Sequence, residues 1–275
     1  MIFTEENIKQ LLGNRESEIW WPGLATGLIS QSEHYSKLID CYSTSTKISK
    51  DREQPEMVLP IFSFPVAKLE MLSAEHAQYF VGQGVYQLTL DRFAASETLE
   101  KVENAFRLIS AFPSLYKVLS GLIRSIHLIH AEPGFDISFT DPALPFTVFV
   151  SVPSDANFPD LRLAESLIHE AMHLQLSIIE REILLVQDSD SRFYSPWKKM
   201  MRPTSGILHA MYVFAAITQW LSLVKSATPD GQQYANTRIE EIRAEVDLLD
   251  CHHCFEALTD NGKLLFNNML TILKG

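Results

Sequence analysis

The strongest constraint on the fold is residues 160–186, where apolar side chains recur at spacings of three and four. This periodicity predicts an α-helix, and a helix that is apolar nearly all round is buried. Its polar residues form one stripe: Arg162, Ser166, His169, Glu170, His173, Ser177 and Glu180. Because an unpaired buried polar group costs about 1–3 kcal/mol, we expect partners or a wet cavity along this stripe.

The centre of the stripe has the pattern His-Glu-x-x-His, formed by His169, Glu170 and His173. Residues four apart share a helix face, so both imidazoles can bind one metal ion with Glu170 beside them. The alternative is a solvent-facing stripe in which the pattern arises by chance. Two imidazoles leave a metal ion incompletely coordinated, so the metal interpretation requires a third ligand.

His209 is the residue that we expect to be the third ligand. It follows Ile207 and Leu208 near the start of the next apolar helix, predicted over residues 206–225. An unpaired imidazole would be costly in such surroundings. The alternative is a core histidine that is hydrogen-bonded to a backbone carbonyl.

Glu180 also lies on the stripe, but it is seven residues after His173. That spacing is about 10 Å along a helix, too far for both side chains to bind one ion. We therefore expect Glu180 to contact Arg162, Arg181 or an imidazole outside the metal's own ligands.

Two other groups of histidines have simpler interpretations. His127 and His130 lie at the end of a helix predicted over residues 115–130, where cations are favoured, so capping or surface roles are expected. The segment Cys251-His252-His253-Cys254 has no matching second pair of ligands. We expect it to have a local surface or capping role.

The elements around the stripe indicate the fold class. Helical periodicity dominates the first 130 residues, and two segments rich in β-branched and aromatic residues, 135–140 and 146–152, predict strands. We expect a mainly α, α+β fold: a helical bundle with a small β hairpin or sheet packed beside a central, zincin-like His-Glu-x-x-His helix. A mainly helical region, residues 1–130, would precede a metal-binding catalytic region, residues 131–275, that is one continuous compact unit.

Charge and cysteine content restrict the partners and the compartment. The net charge is −11 and the sequence has no Lys/Arg-rich stripe, so we expect neither a nucleic-acid nor a membrane partner. The three cysteines do not make a disulfide framework, and the N-terminus lacks the pattern of a signal peptide. No uninterrupted run of 18 apolar residues predicts a membrane span. A cytoplasmic location is therefore expected.

The region from about residue 135 to residue 225 resembles the His-Glu-x-x-His peptide β-hydroxylases of ribosomal-peptide modification, which depend on iron and 2-oxoglutarate. The segments that carry the resemblance are Phe149-Val-Ser-Val-Pro153, Leu163-Ala-Glu-Ser-Leu-Ile-His-Glu-x-x-His173, Ser195-Pro-Trp197 and Arg202-Pro-x-Ser-Gly-x-Leu-His209. They cover about a third of the chain. Lys198-Lys-Met-Met201 departs from the Arg- and Asp-containing loop that is common in the family.

The resemblance implies a specific activity and site. His169, His173 and His209 would hold Fe(II), and Arg202 would bind the distal carboxylate of 2-oxoglutarate through its planar guanidinium. For Arg202 a structural salt bridge is the alternative. The reaction would hydroxylate the β-carbon of residues in a ribosomally made precursor peptide. We further hypothesise that the peptide docks by strand addition along residues 146–152. A role of residues 1–130 in peptide recognition is a separate hypothesis, because the resemblance does not cover them.

Two other function classes remain open. In a zinc metallopeptidase, Glu170 would be the catalytic general base. The sequence lacks both the three-histidine metzincin spacing and an evident downstream glutamate ligand. In the hydroxylase, Glu170 would instead orient a ligand. The third class is a non-catalytic peptide-binding module.

Overall fold

The computed structural model describes residues 4–14, 17–33, 35, 56–141, 144, 146–155 and 157–275. The chain forms a mixed α+β fold, as expected, with two compact units. One unit is Ile29–Leu174, and the other combines Met1–Leu28 with Gln175–Gly275. The expected division into residues 1–130 and 131–275 stays a prediction. Cys41 lies outside the described residues.

The described helices and strands are as follows. The helices are α1 (Glu5–Gly13), α2 (Leu24–Gln31), α3 (Ala74–Val81), α4 (Leu90–Phe93), α5 (Ser96–Ser110), α6 (Pro113–Leu122), α7 (Pro159–Glu182), α8 (Thr204–Val224), α9 (Pro229–Asp247), α10 (Cys251–Glu256) and α11 (Asp260–Lys274). The strands are β1 (Met57–Pro60), β2 (Lys68–Met71), β3 (Ser125–Ile129), β4 (Ser138–Phe139), β5 (Thr147–Ser151), β6 (Arg192–Ser195) and β7 (Met200–Pro203).

The unit Ile29–Leu174 is built around a five-stranded sheet with the order β1-β2-β3-β5-β4. The three central strands are parallel, and the two outer strands pair antiparallel to their neighbours. Every residue of β3 and β5 is buried. Parallel strands covered on both faces have this continuous burial, so β3 and β5 form the centre of the unit.

The prediction of one helix over residues 115–130 is wrong in its second half. Helix α6 ends at Leu122, and the next residues form the central strand β3. A short apolar run does not distinguish a buried strand from a buried helix by spacing alone. His127 is consequently not at a helix end but buried within the sheet, whereas His130 is exposed just after the strand.

A buried polar network joins β2 to β3. The hydroxyl of Ser125 donates to Oε2 of Glu70 at 2.6 Å, and Nδ1 of His127 lies 2.6 Å from the carbonyl oxygen of Glu70. The ring of His127 stacks on Phe149 of β5, with centroids 4.9 Å apart. The network therefore places two ionisable side chains at the centre of the sheet and gives both of them partners.

The two strands predicted over residues 135–140 and 146–152 are confirmed in shorter form as β4 and β5. They pair antiparallel, with Ser138 opposite Val150 and Phe139 opposite Phe149. Strand β5 lies between β3 and β4 and is buried throughout. The expected docking of a peptide along β5 is contradicted by this order, because strand addition requires a free edge.

The other unit, Met1–Leu28 with Gln175–Gly275, is organised around α8. Helix α8 packs against α9 and α11, and α1 packs against α11. By length and composition α8 is apolar enough to cross a membrane, but 72% of the qualifying window is buried inside the protein. A buried core helix passes the same test, so this is weak evidence for a membrane span.

Three side chains fix the segment around Ile19 and Trp20 within this unit. The amide of Gln175 donates to the carbonyl of Trp20 at 2.8 Å, and Gln219 accepts from the backbone N–H of Ile19 at 2.8 Å. The hydroxyl of Tyr212 donates to the carbonyl of Ile19 at 3.0 Å, and burial raises the pKa of this hydroxyl well above its usual range. The backbone of this segment therefore finds its hydrogen bonds in side chains that lie far along the chain.

We predict that Ser125→Ala destabilises the unit Ile29–Leu174 by about 1–3 kcal/mol, because the buried Glu70 carboxylate loses a donor. The control is Ser120→Ala: the hydroxyl of Ser120 is buried and has no hydrogen-bond partner among the described residues, so its removal should be neutral or stabilising. Urea unfolding followed by far-UV circular dichroism measures both changes. All four tryptophans lie in the other unit, so their fluorescence would not report this one. Equal effects of the two substitutions would contradict the prediction.

Candidate metal centre

Helix α7 carries the polar stripe, and its apolar side chains are buried as the sequence predicts. Leu163, Ile168 and Met172 are fully covered. The stripe itself is half-buried or exposed, with one exception: Glu170 is only 3% exposed. The helix therefore buries its apolar face and leaves the imidazoles partly accessible, which a site that takes ions from solution requires.

His169 and His173 are brought together on one face of α7. Their Nε2 atoms lie 3.1 Å apart, and the rings meet edge to face with centroids 4.8 Å apart. A metal ion with metal–nitrogen bonds of about 2.1 Å and a bond angle of about 90–110° separates two nitrogens by about 3.0–3.4 Å. The observed separation also fits a hydrogen bond between the two imidazoles.

Glu170 is held from the neighbouring strand β4. The hydroxyl of Ser138 donates to Oε1 of Glu170 at 2.8 Å, and the same oxygen lies 4.0 Å from Nε2 of His169. A buried polar side chain of this kind needs a hydrogen-bond partner. Ser138 thus positions the carboxylate beside the paired imidazoles.

Arg162, one turn before Ser166 on the stripe, is bound by two carboxylates. Its guanidinium contacts both oxygens of Asp136, at 2.7 and 2.9 Å, and Oδ1 of Asp155 at 2.5 Å. Burial alone would lower the pKa of Arg162, but these two carboxylates outweigh it and raise the pKa. Arg162 therefore stays charged and ties the strand segment before β4 and the loop before α7 to the helix.

His209 lies in α8 and is bonded to a carboxylate. Its Nε2 is 2.8 Å from Oε2 of Glu180, and both side chains are partly buried. Glu180 was expected to contact Arg162, Arg181 or an imidazole outside the metal's ligands. Its partner is instead His209, the residue predicted to be the third ligand. The alternative prediction for His209 was a hydrogen bond to a backbone carbonyl. At Nε2 the partner is instead the carboxylate of Glu180.

Arg202 lies in β7 opposite Phe193 and is exposed. Its Nε is 3.4 Å from the position that a Cβ on Gly206 would occupy, so the side chain extends over the first turn of α8. No described residue forms an ion pair with it, so the alternative of a structural salt bridge has no partner within the described part of the chain.

The segment from Cys251 to Cys254 opens the short helix α10. Asp250 caps this helix and binds Nδ1 of the exposed His253 at 2.7 Å. Burial raises the pKa of the Cys254 thiol to about 12. The contacts of the segment are thus local ones at the start of α10.

The structure thus brings together two of the three expected ligands. Among the described residues, no group of three or more histidine, cysteine, aspartate or glutamate side chains is arranged to hold a metal ion. No protein-family model matches the chain, and no characterised protein matches it. The chemistry that the arrangement can support is divalent-cation binding by two adjacent imidazoles, with a buried carboxylate next to them.

Two positioning residues were not identified from the sequence. Asp136 and Ser138 alternate along the strand segment predicted over residues 135–140, so both point to the same side. They bind Arg162 and Glu170, which both belong to the stripe on α7. The alternation of Asp136 and Ser138 could have indicated a polar strand face. That this face binds the stripe on α7 depends on tertiary structure, which the sequence does not give.

We predict a defined pH dependence for the contact between Arg162 and Asp155. Arg162 and the backbone N–H of Asn157 hold the pKa of Asp155 below its ordinary value of 3.8. A carboxyl whose folded pKa is depressed stabilises the protein above its unfolded pKa and loses that contribution as the pH falls through the folded pKa. The stability difference between wild type and Arg162→Met should therefore be constant from about pH 7 to 5 and shrink below about pH 4.

Urea unfolding followed by circular dichroism across this pH range measures the difference. The exposed Lys117 of the same unit provides the control, and Lys117→Met should show a small difference without this pH dependence. If the stability difference between Arg162→Met and wild type increased as the pH fell, the predicted pH dependence of the contact between Arg162 and Asp155 would be contradicted.

Proposed function

We propose that the protein is an Fe(II)- and 2-oxoglutarate-dependent dioxygenase that hydroxylates the β-carbon of residues in a ribosomally made precursor peptide. The observation that carries the proposal is the 3.1 Å separation of the Nε2 atoms of His169 and His173. Two imidazole nitrogens at this separation suit a borderline cation such as iron or zinc. The donor set therefore fits a bound metal ion at these two positions.

In this proposal His209 is the third metal ligand. Its Nε2 is the atom that contacts Glu180, so ligation through this nitrogen requires the carboxylate to give up that contact. Alternatively, Glu180 could accept from the ring while Nδ1 binds the metal, as carboxylates commonly do for metal-bound histidines. Both arrangements make Glu180 a residue that orients His209.

Arg202 is the proposed partner of the distal carboxylate of 2-oxoglutarate. An exposed guanidinium that no described residue pairs with can form two parallel hydrogen bonds with a carboxylate. The metal and 2-oxoglutarate would together supply the oxidative decarboxylation that activates oxygen. That chemistry would act on a carbon–hydrogen bond of the peptide.

Glu170 has a positioning role in the hydroxylase. Its burial and its bond to Ser138 fix the carboxylate, and its Oε1 lies 4.0 Å from the metal-binding nitrogen of His169. A fixed negative charge at this distance favours the ligand geometry and strengthens cation binding. It does not need to accept a proton from substrate.

The same position of Glu170 favours a second candidate, a zinc metallopeptidase. A carboxylate 4.0 Å from a ligand nitrogen is close enough to accept the proton of an attacking water. Glu170 would then be the catalytic base rather than a positioning residue. A non-catalytic peptide-binding module is the third possibility, in which the two imidazoles simply share a proton.

We predict that anaerobic addition of Fe(II) and 2-oxoglutarate produces a charge-transfer absorption band, because 2-oxoglutarate chelates the iron. His169→Ala and His173→Ala should each abolish the band, and Arg202→Met should raise the 2-oxoglutarate concentration needed for it by about tenfold or more. His130→Ala is the matched control, since His130 is an exposed histidine in the same unit. Wild-type protein without the band, together with tight zinc binding and peptide cleavage, would overturn the proposal in favour of the peptidase.

Glu170→Gln separates the two catalytic functions. The substitution keeps an oxygen that can accept from Ser138 but removes the base. A peptidase should lose about 10²–10⁴-fold in kcat, whereas the hydroxylase should keep the absorption band and most of its turnover. Absorption spectra and product mass spectrometry of the two proteins measure the outcome. Loss of hydroxylation with the band intact would contradict the positioning role of Glu170.

A further inference from the structure

The chain contains a short antiparallel hairpin, β6 and β7, that the sequence did not predict. We call residues 192–203 the basic hairpin. It is fixed to α8 from one side: Ser195 is buried, and Trp197 in the turn stacks on Phe214 with ring centroids 5.1 Å apart. The hairpin is therefore anchored at its turn, and its geometry does not depend on a ligand.

The rest of the basic hairpin presents apolar side chains to solvent. Tyr194, Met200 and Met201 are each about half exposed, at 46%, 53% and 52%. Tyrosine, methionine and arginine are the residue types that are enriched where proteins bind one another. Methionine also adapts its flexible side chain to irregular partners. Their exposure on an anchored hairpin indicates an interaction surface.

The charge of the basic hairpin is opposite to that of the remaining chain. Its cations are Arg192, Lys198, Lys199 and Arg202, and residues 192–203 contain no aspartate or glutamate. The chain carries −11, so the other residues together carry −15. Among the described residues none forms an ion pair with these four cations. A local positive surface on an acidic protein selects acidic partners by charge complementarity.

The strands of the basic hairpin also keep hydrogen-bonding edges. Within the described part of the chain, β6 and β7 pair only with each other, so each has an outer edge. Such edges are templates for an added strand. Four cations are few for a nucleic-acid site, and the exposed apolar side chains between them suit a peptide better.

We propose that the basic hairpin binds an acidic, extended peptide segment. Carboxylates of the peptide pair with Arg192, Lys198 and Lys199, and its apolar side chains pack on Tyr194 and Met201. This inference goes beyond the proposed function and stands on the hairpin alone. The hairpin would select a peptide by its negative charge and by its alternation of acidic and apolar side chains, rather than by any single residue.

The test is a binding titration with a fluorescein-labelled 15-residue peptide of alternating glutamate and leucine, followed by fluorescence anisotropy. Wild-type protein should bind it, and the Kd should rise with salt because the carboxylates and cations are exposed. The triple variant R192E/K198E/K199E should raise the Kd by about tenfold or more. Arg202 is left unchanged, so the proposed 2-oxoglutarate contact is not altered.

The matched control reverses three other exposed cations of the same unit, Lys9, Lys225 and Arg243, to glutamate. It changes the net charge equally, and it should leave the Kd within about twofold. Equal losses in the two triple variants would overturn the proposal, as would no binding to wild type at low salt. Stronger binding of the wild type to a 20-nucleotide single-stranded DNA or to phosphatidylserine vesicles would also overturn it. The titration contains neither iron nor 2-oxoglutarate, so its outcome is separate from that of the proposed hydroxylase.

Discussion

The candidate site depends on one constraint: helix α7 buries an apolar surface and carries a polar stripe along the same length. Burial of each large apolar side chain contributes about 1.5–3 kcal/mol to the stability of the fold. Because only one face of the helix is apolar enough to be buried, this energy fixes the rotation of the helix about its axis. Ile168 and Met172, which are next to His169 and His173 in sequence, are fully covered. The position of His169, Glu170 and His173 is therefore set by their apolar neighbours.

The protein satisfies most of the stripe with its own side chains. Asp136 and Ser138, two residues apart on one strand segment, bind Arg162 and Glu170. Charge-assisted hydrogen bonds of this kind are stronger than neutral ones. Beside these bonded groups the Nε2 atoms of His169 and His173 lie 3.1 Å apart, and this close pair of imidazoles distinguishes the candidate site from an ordinary polar helix face.

The sequence predicts the elements whose periodicity is long and unambiguous. Helices α7 and α8 were predicted within a few residues of their ends, and so was the pairing of His169 with His173 on one face. Strand β3 was missed because its apolar run continues the spacing of the helix before it, and β6 and β7 were missed because Pro196 and Trp197 interrupt the pattern. The bond of Glu180 to His209 joins residues 29 positions apart, so local spacing cannot predict it. The role of Glu170 depends in the same way on Ser138, which only tertiary structure brings to it.

The hydrogen bonds that hold Ile19 and Trp20 have a consequence for the order of assembly during synthesis. Their partners, Gln175, Tyr212 and Gln219, leave the ribosome more than 150 residues later. All residues of the unit Ile29–Leu174 have by then been made, and domains generally fold as units while synthesis continues. Ile19 and Trp20 accordingly obtain these hydrogen bonds only after Gln175, Tyr212 and Gln219 have been made.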